Sequence, residues 1–217
     1  MVEIKNLKKC YGDRTVLDIP ELVFENGTVT ALAGANGSGK TTLLRILAGI
    51  IKKTEGNVKT PASVLYLPQQ CYAFCGNLIK NITLSGADEK EASVLLQKLG
   101  LDNLASKKAK SLSGGELQRL ALCRILSKKC ELLLLDEPTS ACDARGAQLV
   151  TEAINDYKEK YGCTVIMSTH SPALAVNSAQ RLIVLGSGRI EADGAPSDIL
   201  SSPESQWAKS FTSGWKI

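Results

Sequence analysis

The chain of 217 residues is 44% hydrophobic, which suits one soluble globular domain with a substantial buried core. Its 26 basic and 22 acidic residues leave a formal charge of only +4, without a Lys/Arg-rich block, so no nucleic-acid partner is expected. The N-terminus lacks the apolar core of a signal peptide, and no apolar run reaches the about 20 residues that span a bilayer, so we expect a cytoplasmic location.

The first predicted elements are short strands. Residues 2–7 alternate apolar and polar side chains, as a half-buried strand does. Residues 16–19 and 22–24 follow the same pattern, and residues 25–27 predict a turn. Residues 29–33 are mostly apolar and predict a buried strand that leads directly into a run of glycines.

That run is GANGSGKT, residues 34–41, which matches the pattern G-x-x-x-x-G-K-[ST]. Residues 41–50 have apolar side chains at helical spacing, so the pattern lies between a strand and a helix, as it should. Glycines in such a loop let backbone N–H groups converge on phosphates, and the helix presents its positive end to them. Lys40 can then reach the β- and γ-phosphates, and the Thr41 hydroxyl can ligate Mg²⁺. The pattern predicts a nucleotide site rather than a chance glycine turn.

The remaining elements alternate between strands and helices. Buried strands are predicted at residues 64–67, 132–135 and 164–167, helices at 89–104 and 116–126, and a hairpin at 182–185 and 189–191. Such alternation indicates an α/β fold with a largely parallel central sheet.

The seven cysteines are odd in number and scattered, so they do not suit a disulfide framework. Cys71 and Cys75 lie four residues apart, a spacing that puts both on one face if that segment is helical. Without a second Cys or His cluster, we interpret all seven as reduced thiols that act as small apolar groups.

The strand at residues 132–135 ends in two carboxylates, Asp136 and Glu137. An acidic residue at the carboxyl end of such a strand lies where a P-loop protein holds Mg²⁺. We predict that Asp136 orders the metal's water shell and that Glu137 acts as general base on the attacking water.

Residues 112–119, LSGGELQR, lie upstream of these carboxylates and resemble the signature motif of ABC ATPases, usually written LSGGQ. The resemblance covers nearly the whole chain in order. Tyr11 resembles the aromatic residue that stacks on adenine, and Gln69 resembles the glutamine of the Q-loop. Residues 140–143 resemble the D-loop, and His170, the only histidine, resembles the switch histidine.

The resemblance implies a P-loop NTPase core of the RecA-like type, an N-terminal antiparallel β-subdomain and an inserted helical subdomain. It implies one ABC ATPase domain over residues 1–217, with residues 1–68 and 118–217 forming mainly the β-subdomain and the core. Residues from about 69 to 117 then form the helical subdomain, which carries the Q-loop and the signature. The short tail through Trp215 leaves no room for an added regulatory domain.

The resemblance also assigns residues to ATP and Mg²⁺. It implies that Lys40, Glu137 and His170 are the catalytic residues and that Thr41, Gln69 and Asp136 hold the metal. The groups expected to contact ATP in the same chain are Tyr11, Gly34, Ala35, Asn36, Gly37, Ser38, Gly39, Lys40, Thr41, Thr42 and Gln69. The groups expected to contact the ATP of a second chain, in a head-to-tail pair, are Ser113, Gly114, Gly115, Glu116 and Asp143.

Two positions depart from the family pattern. Glu116 replaces the usual glutamine of the signature, and Cys142 replaces the leucine common in the D-loop. Because Glu116 adds negative charge next to a phosphate site, we expect its side chain to point away from that site. Neither change removes a catalytic group, so we expect activity to be retained.

The implied partners are a second ATPase subunit, identical or not, and a separate transmembrane permease, which would hold this chain at the cytoplasmic face of the membrane. Residues 70–84 are expected to receive a helix of that permease, although Tyr72 and Phe74 can instead pack inside the helical subdomain. Residues 69–82 resemble exporter ATPases, whereas residues 106–110 lack an acidic-glycine element usual in exporters. Tungstate-type importers look similar in both places, so import is slightly favoured and the substrate stays open.

Two functions other than transport are possible for a chain with these motifs. A soluble ABC ATPase acting in assembly, translation or DNA maintenance is the alternative, although neither a long coiled coil nor a second ATPase unit is present. A catalytically inactive subunit is disfavoured because Lys40, Asp136, Glu137 and His170 are all present.

Overall fold

A computed structural model describes residues 1–201, and the tail that contains Trp215 lies outside the described residues. Its strands are β1 (Val2–Tyr11), β2 (Arg14–Phe24), β3 (Val29–Ala33), β4 (Glu55–Lys59), β5 (Val64–Leu67), β6 (Leu132–Asp136), β7 (Thr164–Ser168), β8 (Arg181–Gly186) and β9 (Arg189–Gly194). Its helices are α1 (Lys40–Leu47), α2 (Leu78–Thr83), α3 (Glu89–Lys98), α4 (Gly114–Leu126), α5 (Ala144–Tyr161), α6 (Pro172–Ser178) and α7 (Pro196–Ser201). None of the helices in this part of the chain is both long enough and apolar enough to cross a membrane.

A three-stranded antiparallel sheet is formed in the order β2-β1-β4. Val2 and Ile4 of β1 are fully buried, as the alternating sequence predicts. Leu7 is fully buried as well, because an irregularity at Asn6, whose φ is 51°, shifts the alternation by one residue. β2 is one continuous strand through Pro20, whereas the sequence predicted two short ones. Because β2 is an edge strand, the missing N–H of proline removes no bond that the sheet requires, and the strand continues.

A six-stranded sheet, in the order β5-β6-β7-β3-β8-β9, forms the centre of the protein. All its pairings are parallel except that of β8 with β9, which confirms the predicted α/β class. β3, β6 and β7 are buried along their entire length. Leu132 and Leu134 contribute to one apolar core and Leu133 and Leu135 to the other, since successive side chains point to opposite faces.

The helix ends follow from local capping chemistry. Ser113 and Glu116 form a capping box at the start of α4, and Asp143 caps α5 by accepting from the Gly146 N–H at 2.7 Å. α5 ends at Gly162, whose φ of 62° is left-handed. The predicted helix at 89–104 ends at Lys98, because Gly100 turns the chain with a φ of 64° before a 3-10 turn at Asp102–Leu104.

Three further features differ from the sequence predictions. β4, α2, α5, α6 and α7 were not predicted, and the helix expected at 41–50 ends three residues earlier. The segment that contains Cys71 and Cys75 is not helical, so these two side chains do not share a helical face.

Parallel strands end at the same edge of a sheet. The carboxyl ends of β3, β5, β6 and β7 therefore bring together the phosphate loop, Gln69, the two carboxylates and His170.

Candidate nucleotide-binding site

The loop between β3 and α1 has a conformation that requires glycine. Gly34, Gly37 and Gly39 have φ values of 144°, 78° and 108°, in the region that L side chains rarely adopt. A Cβ at Gly34 would collide with the Leu185 carbonyl, and one at Gly39 would lie 2.6 Å from the Leu17 side chain. The loop is therefore an open cradle of backbone groups at the N-terminus of α1, as a phosphate site needs.

Lys40 lies inside this cradle and is 6% exposed. Its Nζ donates to the Gly34 carbonyl at 2.7 Å and to the Ala35 carbonyl at 3.2 Å. Burial lowers the pKa of the ammonium, and the carboxylates of Glu137 and Asp136 oppose that shift. The Ser38 hydroxyl is also buried, and it makes no hydrogen bond within residues 1–201. A buried cation and a free hydroxyl in one cradle suit an anionic ligand.

Asp136 is the centre of a hydroxyl cluster at the end of β6. Its Oδ1 accepts from Thr41 Oγ1 at 3.1 Å and from Ser168 Oγ at 2.7 Å, and its Oδ2 accepts from the Tyr66 hydroxyl at 3.1 Å. The carboxylate is 1% exposed, and these neutral donors satisfy it without an ion pair. Burial raises the pKa of Tyr66 to about 12, so its hydroxyl remains a donor at neutral pH.

Glu137 extends toward the mouth of the site. Its Oε1 lies 2.9 Å from His170 Nε2, and its Oε2 accepts from Gln69 Nε2 at 3.3 Å. Its backbone φ is 52°, an unusual value for a residue with a side chain. The structure therefore brings the predicted base into contact with His170 and Gln69, the residues predicted as switch histidine and Q-loop glutamine.

The cleft beside the loop has a volume of about 370 Å³ and is lined by Tyr11, Arg14, Val16, residues 36–42, Gln69 and Glu137. Tyr11 is 53% exposed at one side of it, with Lys9 Nζ 4.5 Å from the ring centroid. An exposed ring at this position agrees with the proposed stacking on adenine, which stays a prediction.

The signature residues Ser113, Gly114, Gly115 and Glu116 do not line this cleft in the described part of the chain, and neither does Asp143. Ser113 precedes α4, and the Glu116 carboxylate accepts from its N–H at 2.7 Å and its Oγ at 2.9 Å. Glu116 thus lies across the start of α4 instead of pointing away from it. The expectation was wrong because a helix N-terminus offers unpaired donors and a positive end that hold a carboxylate. The same two bonds lower the pKa of Glu116.

Three residues of this region were not predicted from the sequence. Ser168 bonds both Asp136 and the Glu137 N–H, and Tyr66 bonds Asp136. Gln118, which is buried in α4, donates to the Glu137 carbonyl at 2.7 Å and accepts from the Ala141 N–H at 3.0 Å. A polar residue at a buried end of a strand, two positions before His170, was the signal available for Ser168.

A second concave surface, the post-Q groove, follows Gln69 and is about 460 Å³ in volume. We define it by Tyr66, Tyr72, Phe74, Leu84 and Arg124, which contribute to its lining. Tyr72, Phe74 and Leu84 are 59%, 42% and 59% exposed, so the two aromatic residues do not pack inside the helical segment. Arg124 lies 5.1 and 5.0 Å from the two ring centroids and donates to the Tyr72 carbonyl.

Known proteins similar to this chain are subunits of transport systems. The family model described as "ABC transporter" matches residues 17–140. The tungstate uptake system ATP-binding protein TupC of Peptoclostridium acidaminophilum is 40% identical over 210 residues, which cover 89% of this chain and 98% of the relative. The zinc import ATP-binding protein ZnuC of Roseobacter denitrificans is 34% identical and covers 94% of this chain and 82% of the relative.

Solved structures show the same fold. An ATP-binding cassette in a dimeric post-hydrolysis state with ADP and Pi superposes with a TM-score of 0.81 at 27% identity, over 90% of this chain and 99% of that chain. A bacterial Atm1-family ABC exporter with ATP bound gives a TM-score of 0.88 at 23% identity, over 100% of this chain and 42% of that chain.

Proposed function

The chain belongs to the ATP-binding subunits of ABC transporters, and from this premise we propose how its own residues bind ATP, hydrolyse it and act on a separate membrane-spanning subunit. As a member of that family it is an ATPase that energises transport. The contact of Glu137 with His170 and Gln69, beside the phosphate cradle, is the observation that carries our assignment of the catalytic residues.

In the proposed binding mode, the backbone N–H groups of residues 34–41 and the N-terminus of α1 hold the β- and γ-phosphates. Lys40 now bonds two loop carbonyls, and phosphate oxygens would replace these acceptors with charged ones. Tyr11 would stack on the base, since its ring is exposed and contributes to the lining of the same cleft.

The residues around Asp136 fit a magnesium ion. The Thr41 hydroxyl, the Asp136 carboxylate and the Gln69 amide all offer oxygen, the ligand that Mg²⁺ prefers. When bound, Mg²⁺ would supply positive charge that offsets the negative charge developing on the phosphate. Ser168 and Tyr66 hold the Asp136 carboxylate in one orientation through both of its oxygens.

Glu137 is the proposed general base. It would accept a proton from the water that attacks the γ-phosphorus as the bond to the ADP oxygen breaks. His170 and Gln69 each contact one of its two carboxylate oxygens, and in this proposal His170 would donate to the γ-phosphate.

The signature serves the ATP of a second chain in this proposal, since Ser113 and its neighbours do not line the cleft of their own chain. Two copies in a head-to-tail arrangement would close around two ATP molecules. For the ATP phosphate to reach the Ser113 hydroxyl, the bonds that Glu116 makes to Ser113 must open or be shared.

The post-Q groove is the proposed docking surface for the membrane subunit. Its exposed rings and aliphatic side chains form an apolar surface on which a helix can dock. The groove directly follows Gln69 in the chain, and Gln69 contacts Glu137. We also propose the division into subdomains predicted above, in which residues from about 69 to 117 move relative to the core.

Import is the proposed direction of transport. The uptake and import names of the relatives support it, and they include aliphatic sulfonate and sulfate/thiosulfate import proteins. The relative that matches over 98% of its length acts in tungstate uptake, so tungstate is the first substrate to test.

Two substitutions test the proposed chemistry. Lys40→Ala removes the charge that contacts phosphate, so we expect loss of ATP binding measured by equilibrium dialysis. Glu137→Gln keeps the shape and the contacts but not the base, so it should bind ATP normally and hydrolyse it at least about 100-fold more slowly. A wild-type rate of ATP hydrolysis in Glu137→Gln would exclude this residue as the base.

A further inference from the structure

We propose that Tyr66 is a positioning residue that orients Asp136 and connects it to the post-Q groove. This inference rests on the proposed function of Asp136 and of the groove. It concerns a tyrosine that the phosphate loop, the signature and the catalytic groups do not include.

The two oxygens of Asp136 have different hydrogen-bond partners. Oδ1 accepts from Thr41 and Ser168, whereas Oδ2 accepts only from the Tyr66 hydroxyl among the described residues. A carboxylate held through one oxygen can rotate about its terminal bond, and a donor on the second oxygen prevents this. Tyr66 therefore fixes the plane of the Asp136 carboxylate, and the alignment of this carboxylate with Thr41 depends on that plane.

The Tyr66 side chain is also close to the core beneath α1. It packs against the apolar cluster to which Leu44 and Leu47 of α1 belong, and α1 is the helix that begins with Lys40. Tyr66 thus contacts this core and, through its hydroxyl, Asp136 at the end of β6. A shift of Tyr66 would change contacts at both sides of the proposed metal site.

Tyr66 also connects the site with the groove. It belongs to β5, an edge strand of the six-stranded sheet, which pairs with β6. It contributes to the groove lining together with Tyr72, Phe74 and Arg124. An edge strand is held by hydrogen bonds along one side only, so a partner that fills the groove can displace it. Tyr66 would carry such a displacement to Asp136 by a route separate from Gln69.

The experiment removes only the hydroxyl, by Tyr66→Phe, in the Glu137→Gln background that prevents turnover. Affinity for N-methylanthraniloyl-ATP is measured by fluorescence in Mg²⁺ and in EDTA. We expect the Mg²⁺-dependent gain in affinity to fall about ten-fold, the lower end for outer-shell partners of metal ligands, with the EDTA value unchanged. Tyr161→Phe is the control, because Tyr161 packs on Tyr157 at the end of α5.

The outcomes separate this inference from the proposed function. If the parent protein shows no Mg²⁺-dependent gain, the proposed site itself is wrong. If the parent shows the gain and Tyr66→Phe shows the same gain, the positioning role of Tyr66 is wrong.

The connection to the groove is tested in the complex with the co-purified membrane subunit. Tyr66→Phe, now with Glu137 intact, should lower the ratio of ATPase activity in the complex to that of the isolated subunit by about three-fold or more, whereas Tyr161→Phe should not change it. An unchanged ratio in Tyr66→Phe would overturn the connection.

Discussion

Glu137 adopts a left-handed backbone conformation, with a φ of 52°, that costs a non-glycine residue about 1 kcal/mol or more. Two side chains from other elements hold it there. Ser168 accepts from its N–H at 2.9 Å, and Gln118 donates to its carbonyl at 2.7 Å. This strained turn directs the carboxylate toward His170 and Gln69, away from Asp136, so two consecutive acidic residues can have different roles.

At the scale of one atom, we expect the removal of a single hydroxyl to have its largest effect at Ser168. Its hydroxyl is fully buried, donates to Asp136 and accepts from the Glu137 N–H. Ser168→Ala leaves both groups without this partner, so we expect a loss of about 2 kcal/mol in the free energy of unfolding and a lower kcat with a smaller change in KM. Urea unfolding and steady-state ATPase kinetics measure these effects.

The control for this prediction is Ser178→Ala. The Ser178 hydroxyl is also buried, but it makes no hydrogen bond within the described range, so its removal should leave stability and kcat close to those of the parent. Equal stability and equal kcat for Ser168→Ala and the parent would contradict the role of Ser168.

Among the elements, α4 is the one that connects the signature to the catalytic carboxylate. Gln118 lies five residues after Ser113 and bonds the Glu137 carbonyl and the Ala141 N–H. Gln118→Met keeps the length of the side chain but pairs neither group, so we expect about 2–3 kcal/mol of destabilisation by urea unfolding and a reduced kcat. Gln97→Met in α3 is the matched control, because Gln97 is exposed. Equal losses in the two variants would show that Gln118 has no special role.

The sequence predicted the elements whose pattern is local. β3, β6 and β7 are continuous apolar runs, and α1 and α4 have apolar residues at helical spacing, so all five were found. β4 has only one large apolar residue, Val58, and exists because it pairs with β1, which no local pattern reveals. α5 was readable from its cap at Asp143 and from Gly162 at its end, and was missed.

The site shows the same division between local and non-local information. Lys40, Asp136, Glu137 and His170 follow from motifs, each of which occupies a few consecutive residues. Ser168 meets Asp136 because the two are paired across β6 and β7, a register that the sequence does not show. Gln118 and Tyr66 likewise depend on how α4 and β5 pack around the end of β6.

At the scale of the whole molecule, the signature and the nucleotide cleft of one chain lie apart, so ATP is expected to join two chains. We expect a monomer without nucleotide and a dimer of Glu137→Gln with ATP and Mg²⁺, measured by light scattering after size exclusion. ADP should not produce the dimer, because the γ-phosphate is the group that Ser113 of the second chain would contact. A tight dimer through the signature loop in the absence of nucleotide would contradict this arrangement.

The post-Q groove is expected to hold the membrane subunit, and its exposed residues allow a direct test. Leu84 contributes to the groove lining and Val94 lies on α3 outside it, yet they are 59% and 57% exposed, so cysteines at the two positions are equally accessible.

With Cys71 and Cys75 replaced by alanine, Leu84→Cys is paired with cysteines along the cytoplasmic loops of the co-purified membrane protein. We expect disulfide crosslinks that change in yield with ATP, because the groove adjoins Gln69 and Gln69 contacts Glu137. Val94→Cys should give few crosslinks under the same oxidant. Efficient crosslinking at Val94→Cys with none at Leu84→Cys would place the membrane subunit on another surface. The groove could then not be the point from which binding of that subunit acts through Gln69 on the catalytic carboxylate.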